Sequence, residues 1–411
     1  MWPQGVYSNL LEPAAPEWGA KFPIQFRTVE AGNKIRRRGI IRVRRKWEER
    51  AVKAVRYYGR KDIRVETVAE PKEMGTNQLL VKPLWTGICG TDLHEYIAGP
   101  IVTPAAPHVF TAATLPQILG HEFSAEVLDV GREVTHVRRG DRISVQPLVM
   151  PMNDYYSRRG LNHLSEKMGC VGLSWAWGGM SDLAIINDYN AAKVPDTISN
   201  EEAAMIEPAA VALYAVDRGG VQAGSTVLIA GAGPIGALTI LCAHAAGAAR
   251  IYVSEPNASR RRTIESWGIC AGVYDPKAID VIARVKEHTE ENVGVDVAIE
   301  CVGNESALNT CVEAVRRRGV VVQAGLHVGK ASTDPMLWAL KDITIEATWC
   351  YPITMWPRII GLVESGKLPI SKIIDGRIRA EDVVAKGFDV LTAPSNDKLK
   401  ILVSTQLAAP S

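Results

Sequence analysis

Cys89, His121, Glu122 and Glu207 supply a thiolate, an imidazole and two carboxylates, the donor types that hold a tetrahedral zinc ion with one position open to substrate. Each alone has a plain explanation. A single cysteine is usually core, His121-Glu122 reads equally as a surface turn, and Glu207 beside Pro208 reads as the opening of a helix. Their setting argues for more. Cys89 sits in the glycine-flanked stretch Gly87-Ile88-Cys89-Gly90-Thr91-Asp92-Leu93-His94, read here as one loop shared with His94, and Gly120-His121-Glu122 is a second such loop. With a dinucleotide motif downstream, chance is a poor account of the combination.

That motif is Gly231-Ala232-Gly233-Pro234-Ile235-Gly236, which follows the apolar run Val227–Ala230 and opens a helical stretch. Glycines allow a tight turn and close approach of backbone to a pyrophosphate. The helix N-terminus then offers free N–H groups and the positive end of its dipole. A lone GxGxxG is explained by a glycine turn, but the strand before it and the helix after it supply the context a dinucleotide needs. A second strand ends in Glu255, nineteen residues after Gly236, where a carboxylate accepts hydrogen bonds from ribose hydroxyls and repels a 2′-phosphate. Arg260, Arg261 and Arg262 follow and start a helix, with Arg260 placed to lie against the adenine. Glu255 holds the deciding position, so the expected cofactor is NAD rather than NADP.

The elements that must position these groups fall into two kinds. Val52–Val55, Ile63–Val68, Leu79–Leu84, Phe123–Val130 and Arg142–Val145 are short alternating or apolar runs, which predicts an antiparallel, barrel-like β domain up to about residue 200. From Val221 to Thr348 the apolar runs Val227–Ala230, Ile251–Ser254, Val295–Ile299 and Val320–Ala324 alternate with helical stretches such as Ala237–Gly247 and Ala307–Arg317. That order predicts a parallel sheet covered on both faces. An amphipathic helix (Arg358–Ser365) and a closing strand (Leu399–Val403) are expected to return to the first domain. The organisation read from the sequence is a basic extension over 1–51, a catalytic domain over 52–205, a dinucleotide-binding domain over 206–348 and a returning segment over 349–411.

Composition excludes several other classes. With 47% hydrophobic and 22% charged residues the chain has a globular composition, and its formal net charge of +2 gives no global attraction to nucleic acid or acidic membrane. Residues 1–51 nevertheless carry eleven Lys/Arg against five Asp/Glu, so a basic extension precedes a mildly acidic body. The plain reading is a solvated tail. Seven widely spaced cysteines without a CxxC argue against a disulfide framework and for a reducing, cytoplasmic setting. No secretory signal is visible. Thr226 to Ala249 is uncharged, but Gly231-Ala232-Gly233-Pro234 would break a membrane helix, so a strand, a turn and a buried helix are expected there.

At these residues the chain resembles the zinc-containing medium-chain dehydrogenase/reductase superfamily, from about Val52 to Val403. The stretches GICGTDLHEYIAGPI (87–101), GHEFSAEV (120–127), EPAAVALYAV (207–216) and GAGPIGAL (231–238) look most similar to 2,3-butanediol (acetoin) dehydrogenases and their sorbitol dehydrogenase relatives. The resemblance implies a GroES-like β-barrel catalytic domain joined to a doubly wound Rossmann domain. It implies Cys89 and His121 as zinc ligands, with Glu207 where sorbitol-type members place a carboxylate near the metal. Glu122 matches an acid that ligates zinc in some states and stands behind it in others, and Asp92 one that orients a ligand. Thr91 matches the hydroxyl beside the substrate and His94 the outer end of a proton relay. The cofactor positions are Gly231, Gly233, Pro234, Ile235, Gly236, Glu255 and Arg260, joined by Val302 and Gly325.

One departure matters. Many relatives carry four closely spaced cysteines for a structural zinc, whereas Pro147 to Gly172 contains Cys170 alone, so one catalytic zinc per chain is expected. The implied reaction interconverts a small secondary alcohol or vicinal diol and its ketone, foremost 2,3-butanediol and acetoin. Zinc acts as Lewis acid, the proton leaves through Thr91, a nicotinamide ribose hydroxyl and His94, and hydride goes to the nicotinamide. Alternatives are a polyol (sorbitol or xylitol) or threonine 3-dehydrogenase, a tailoring dehydrogenase of a larger metabolite, and a silent NAD-binding protein. The intact ligand set and relay argue against the last. A homo-oligomer, dimer or tetramer, is expected, with no nucleic-acid or membrane partner.

Overall fold

The computed structural model describes residues 51–327 and 329–407, so the basic extension apart from Ala51 lies outside the described residues. The chain enters on a hairpin of Ala51–Gly59 and Asp62–Ala69, in register from Val52↔Val68 to Tyr57↔Ile63. Val52, Ala54, Val55 and Tyr57 are buried, and since alternate residues point to opposite faces, Val52 and Ala54 pack on one side of the strand and Val55 and Tyr57 on the other. The larger sheet is antiparallel except for its last pair, which is parallel, and orders its strands Ala191–Lys193, Arg142–Val145, Glu122–Val130, Gln78–Gly87, Lys400–Ser404 and Ile374–Arg379, with Ala184–Asn187 also pairing with Gln78–Gly87. Lys400–Ser404 runs antiparallel to Gln78–Gly87, matching Leu402 with Gly87 and Val403 with Thr86.

The second sheet is wholly parallel, in the order Gly272–Tyr274, Arg250–Ser254, Thr226–Ala230, Val295–Glu300, Val315–Gln323 and Thr344–Ala347. The chain starts in the middle, works outward, then crosses back, so the direction of winding reverses between Thr226–Ala230 and Val295–Glu300. A crevice opens beyond the carboxyl ends of strands at such a reversal. Val227, Leu228, Ile229 and Ala230 are all buried because helices cover both faces.

The helix Asn200–Arg218 joins the two sheets. Ser199 caps it and Glu202 closes the capping box, while Ala203 to Ala210 are buried without a break. One apolar core runs from this helix (Met205, Ile206, Leu213) to the parallel sheet (Val227, Ile229) and to Tyr351, Trp356 and Leu402. The stretch Thr226 to Ala249 resolves into the strand Thr226–Ala230, a turn and the helix Pro234–Ala245. Among the described residues no helix is long and apolar enough to cross a membrane, and all seven cysteines are free thiols.

Two local expectations need correction. The helix expected over Ala307–Arg317 spans Glu305–Ala314, and Val315 already belongs to the next strand. Val315 pairs with Val295 and is fully buried, so ladder and burial outweigh the helical tendency of the charged residues after it. The stretch read as one loop from Cys89 to His94 is instead the helix Gly90–Ala98 with Cys89 as its cap.

Candidate active site

The metal-type residues meet because two antiparallel strands end side by side. Gly87, the last residue of its strand, pairs with Glu122, the first of the next, so Cys89 two residues on and His121 one residue back face each other. One donor atom each from Cys89, His121 and Glu122 lies within 4.8 Å of the others. Glu207 is not part of that group; it approaches from inside the Asn200–Arg218 helix rather than opening it. Its Oε1 accepts a hydrogen bond from the Tyr351 hydroxyl at 2.5 Å.

The helix after Cys89 orients the rest. Its cap position holds Cys89 in place of Ser or Thr, and the Cys89 N–H donates to Asp92 Oδ2 at 3.0 Å. Asp92 Oδ1 then lies 3.6 Å from Nδ1 of His121, and neither buried atom has a hydrogen-bond partner. Thr91 is half-buried with Oγ1 3.8 Å from Cys89 Sγ, and His94, one turn away, is exposed. The two residues therefore lead from the buried cluster to solvent.

Burial governs the charges. Desolvation and the neighbouring Glu122 push the Cys89 thiol up, and the same pair of effects lifts Glu207 from 4.5 to about 7. Burial works against a His121 cation, but Asp92 and Cys89 outweigh it and raise the imidazole well above its ordinary value. Lys400 also keeps its charge against burial, because Glu122 faces it. Lys400 and Tyr351 escaped the sequence reading. Their signals are a lysine opening the closing strand of an otherwise apolar run, Leu399 to Val403, and a tyrosine amid apolar residues, but neither adjoins a motif.

At the carboxyl ends of the parallel strands, Gly231 has φ +95°, and a Cβ at Gly236 would lie 2.0 Å from the Gly231 carbonyl oxygen, so the turn closes only with glycine. Gly233 caps the helix that Pro234 starts, with Ile235 and Gly236 in its first turn. Glu255 is buried, accepting from the N–H of Ala232 at 2.7 Å and of Asn257 at 2.8 Å. A carboxylate retains further acceptor sites after two such bonds. Arg260 reaches over Gly233, its Nε buried without a partner, while Arg261 is engaged by Asp275 and the Glu255 carbonyl. Val302 and Gly325 follow the next two strand ends, where Glu300 accepts from the N–H of Val302 and Gly303 at 2.6 and 2.7 Å.

A doubly wound parallel sheet with a glycine-rich phosphate turn, beside a barrel that buries a thiol, an imidazole and two acids, defines an oxidoreductase that pairs a dinucleotide with a metal. Residues 75–196 match the alcohol dehydrogenase GroES-like domain, and residues 234–365 match the zinc-binding dehydrogenase family. The (R,R)-butanediol dehydrogenase of Bacillus subtilis is 37% identical over 355 residues, covering 86% of this chain and 99% of that protein. The crystal structure of 2R,3R-butanediol dehydrogenase from Bacillus subtilis superposes with a TM-score of 0.81 at 35% identity, covering 87% of this chain and 100% of that one. A zinc-binding dehydrogenase from Sinorhizobium meliloti, solved bound to NADP, superposes with a TM-score of 0.78 at 30% identity over 87% of this chain and 100% of that one. The chain belongs to the zinc-binding alcohol dehydrogenase family and is an oxidoreductase.

Proposed function

We propose that this protein uses one zinc ion and NAD to interconvert 2,3-butanediol and acetoin. The observation that carries the metal reading is the buried cluster itself, with Cys89, His121 and Glu122 donors within 4.8 Å of one another. The residues fit zinc. Thiolate, imidazole and carboxylate are its usual donors, and the partnerless Asp92 Oδ1 and His121 Nδ1 face each other as in a carboxylate that orients a metal-bound imidazole. Cys89, His121 and a glutamate would hold the ion, which when bound supplies a Lewis acid for the substrate oxygen. A single zinc per chain follows because Pro147 to Gly172 offers Cys170 alone.

The chain's own residues do the rest. Thr91 sits beside the cluster to receive the hydroxyl proton, and His94 on the exposed side of the same helix releases it to water. The turn Gly231 to Gly236 binds the pyrophosphate at a helix N-terminus, and Val302 and Gly325 line the crevice beside it. Glu255 takes the adenosine ribose diol on its remaining acceptor sites. Of the three arginines that follow Glu255, Arg261 is occupied by Asp275, and the buried Glu255 carboxylate opposes a 2′-phosphate. NAD is therefore favoured, although a relative binds NADP. The protein works in the cytoplasm as a homo-oligomer.

The substrate assignment rests on the likeness to butanediol dehydrogenases across nearly the whole chain. The test is a kinetic panel with NAD across 2,3-butanediol, sorbitol, xylitol and L-threonine. The highest kcat/KM is expected for 2,3-butanediol, and a polyol or threonine in first place would replace the assignment.

A further inference from the structure

Glu300 ends the strand Val295–Glu300, on the far side of Thr226–Ala230 from Glu255, and it gathers two turns. The residue is fully buried. Its backbone carbonyl accepts from the N–H of Ala324 and of Gly325, both at 2.9 Å, where the strand Val315–Gln323 gives out. Its Oε1 is taken by the N–H groups of Val302 and Gly303. Oε2 faces His327 Nε2 at 3.4 Å, and among the described residues neither atom has a hydrogen-bond partner. A buried carboxylate oxygen without a donor is costly, and an imidazole N–H set opposite it completes the bond with a small rotation of the ring.

The two turns fit backbone against backbone. Gly303 has φ +83°, and a Cβ on it would strike the Leu326 carbonyl oxygen, while a Cβ on Gly325 would lie 2.6 Å from Glu300 Oε2. Each turn lifts one large apolar side chain to the surface, Val302 at 47% exposed and Leu326 at 46%. Val302 stands beside the phosphate turn, its Cγ2 2.6 Å from where a Cβ on Gly231 would sit. A dinucleotide spans such a crevice with one mononucleotide on each side of the reversal in strand order. Glu255 stands on the adenosine side, so Val302 and Leu326 stand on the side left for the nicotinamide half. Resting on the cofactor reading, we propose that His327 is a positioning residue. By pairing with Glu300 it holds the second turn against the first and sets Val302 and Leu326 as an apolar floor under the nicotinamide half.

The test measures the dissociation constants of NADH and of ADP-ribose, which lacks the nicotinamide, on the full-length zinc-loaded protein. His327→Leu removes the donor and keeps much of the bulk. It is expected to weaken NADH binding by roughly 10-fold, the order of one hydrogen bond to a charged group, and to change ADP-ribose binding by less than about 2-fold. His327→Gln, which keeps an N–H for Glu300, restores NADH binding to within about 3-fold of wild type. A general loosening of the domain would instead weaken both ligands alike. Equal losses for the two, unchanged NADH binding in His327→Leu, or no recovery with glutamine would overturn the proposal. Should His327→Leu fail to fold, His327→Asn, too short to reach Glu300, decides by the same comparison: weakened NADH with ADP-ribose kept supports the proposal, and any other pattern overturns it. Wild-type protein that fails to bind NADH would remove the cofactor reading, and this proposal with it.

Discussion

The metal cluster and the dinucleotide crevice both bury acids, and they neutralise them in opposite ways. In the cluster the partners are side chains from distant parts of the chain: Lys400 meets Glu122 across 278 residues and Tyr351 meets Glu207 across 144. In the crevice the partners are nearby backbone N–H groups, Ala232 and Asn257 for Glu255, at separations of 23 and 2. Side-chain partners leave a buried charge stranded when one is lost, whereas backbone partners stay in place whatever side chain they carry. The cluster should therefore fail as a unit, and the crevice should be tunable one residue at a time.

The largest effect is expected from Cys89→Ala, which should remove metal and turnover together while the fold survives. Elemental analysis and NAD-reduction rates check it, and metal retained at wild-type level would break the contrast. His94→Ala comes next. It should keep zinc and NAD binding but slow turnover by roughly 10–1000-fold near neutral pH, because only proton release is lost. If this variant loses its metal, His94 belongs to the cluster and not to the relay.

Glu255→Ser tests the tunable side. Wild-type discrimination against NADP of at least ~100-fold in kcat/KM is expected, each 1.4 kcal/mol being a factor of ten. The variant should lose NAD efficiency and gain NADP efficiency, the Arg260–Arg262 cluster attracting the phosphate once the acid is gone. A wild-type enzyme that already prefers NADP would show that the arginines at 260–262 outweigh the acid.

A smaller effect separates the two regions by pH. In metal-free protein, Glu207 at about 7 against an ordinary 4.5, and His121 raised as well, bind protons more tightly when folded than unfolded. The stability they give is present at low pH and is lost as pH rises, for Glu207 between 4.5 and about 7. Zinc-loaded protein should trend the other way, since metal ligands must be deprotonated. Thermal midpoints of stripped and loaded protein between about pH 5 and 8 check this, and parallel curves would show that the cluster does not hold the metal. The smallest effect is expected from deleting residues 1–50. Turnover should be unchanged, because every residue of both sites lies beyond them.

The same contrast explains what could be read in advance. The crevice was legible because strand, Gly231 to Gly236 turn, helix and Glu255 lie within thirty residues of one another, and local pattern carries their geometry. For the metal cluster, the donor types and their loops were visible, but not the helix that follows Cys89, since a cysteine in the cap position, where Ser or Thr is usual, gives a weak signal. Lys400 and Tyr351 were invisible for a different reason. Each is one polar residue in an apolar stretch: Lys400 gains its meaning when the sheet brings Lys400–Ser404 beside Gln78–Gly87, and Tyr351 when it meets Glu207 on the Asn200–Arg218 helix. The end of the Glu305–Ala314 helix was misplaced because Val315 is claimed by a ladder with Val295.

The most direct measurement of the central claim is a zinc titration of metal-stripped protein, following NAD reduction with 2,3-butanediol present. The rate should rise linearly from near zero and break at about one zinc per chain, the stoichiometry of a single catalytic site. Full turnover without metal, or a break at about two, would contradict a single zinc site as the seat of the reaction.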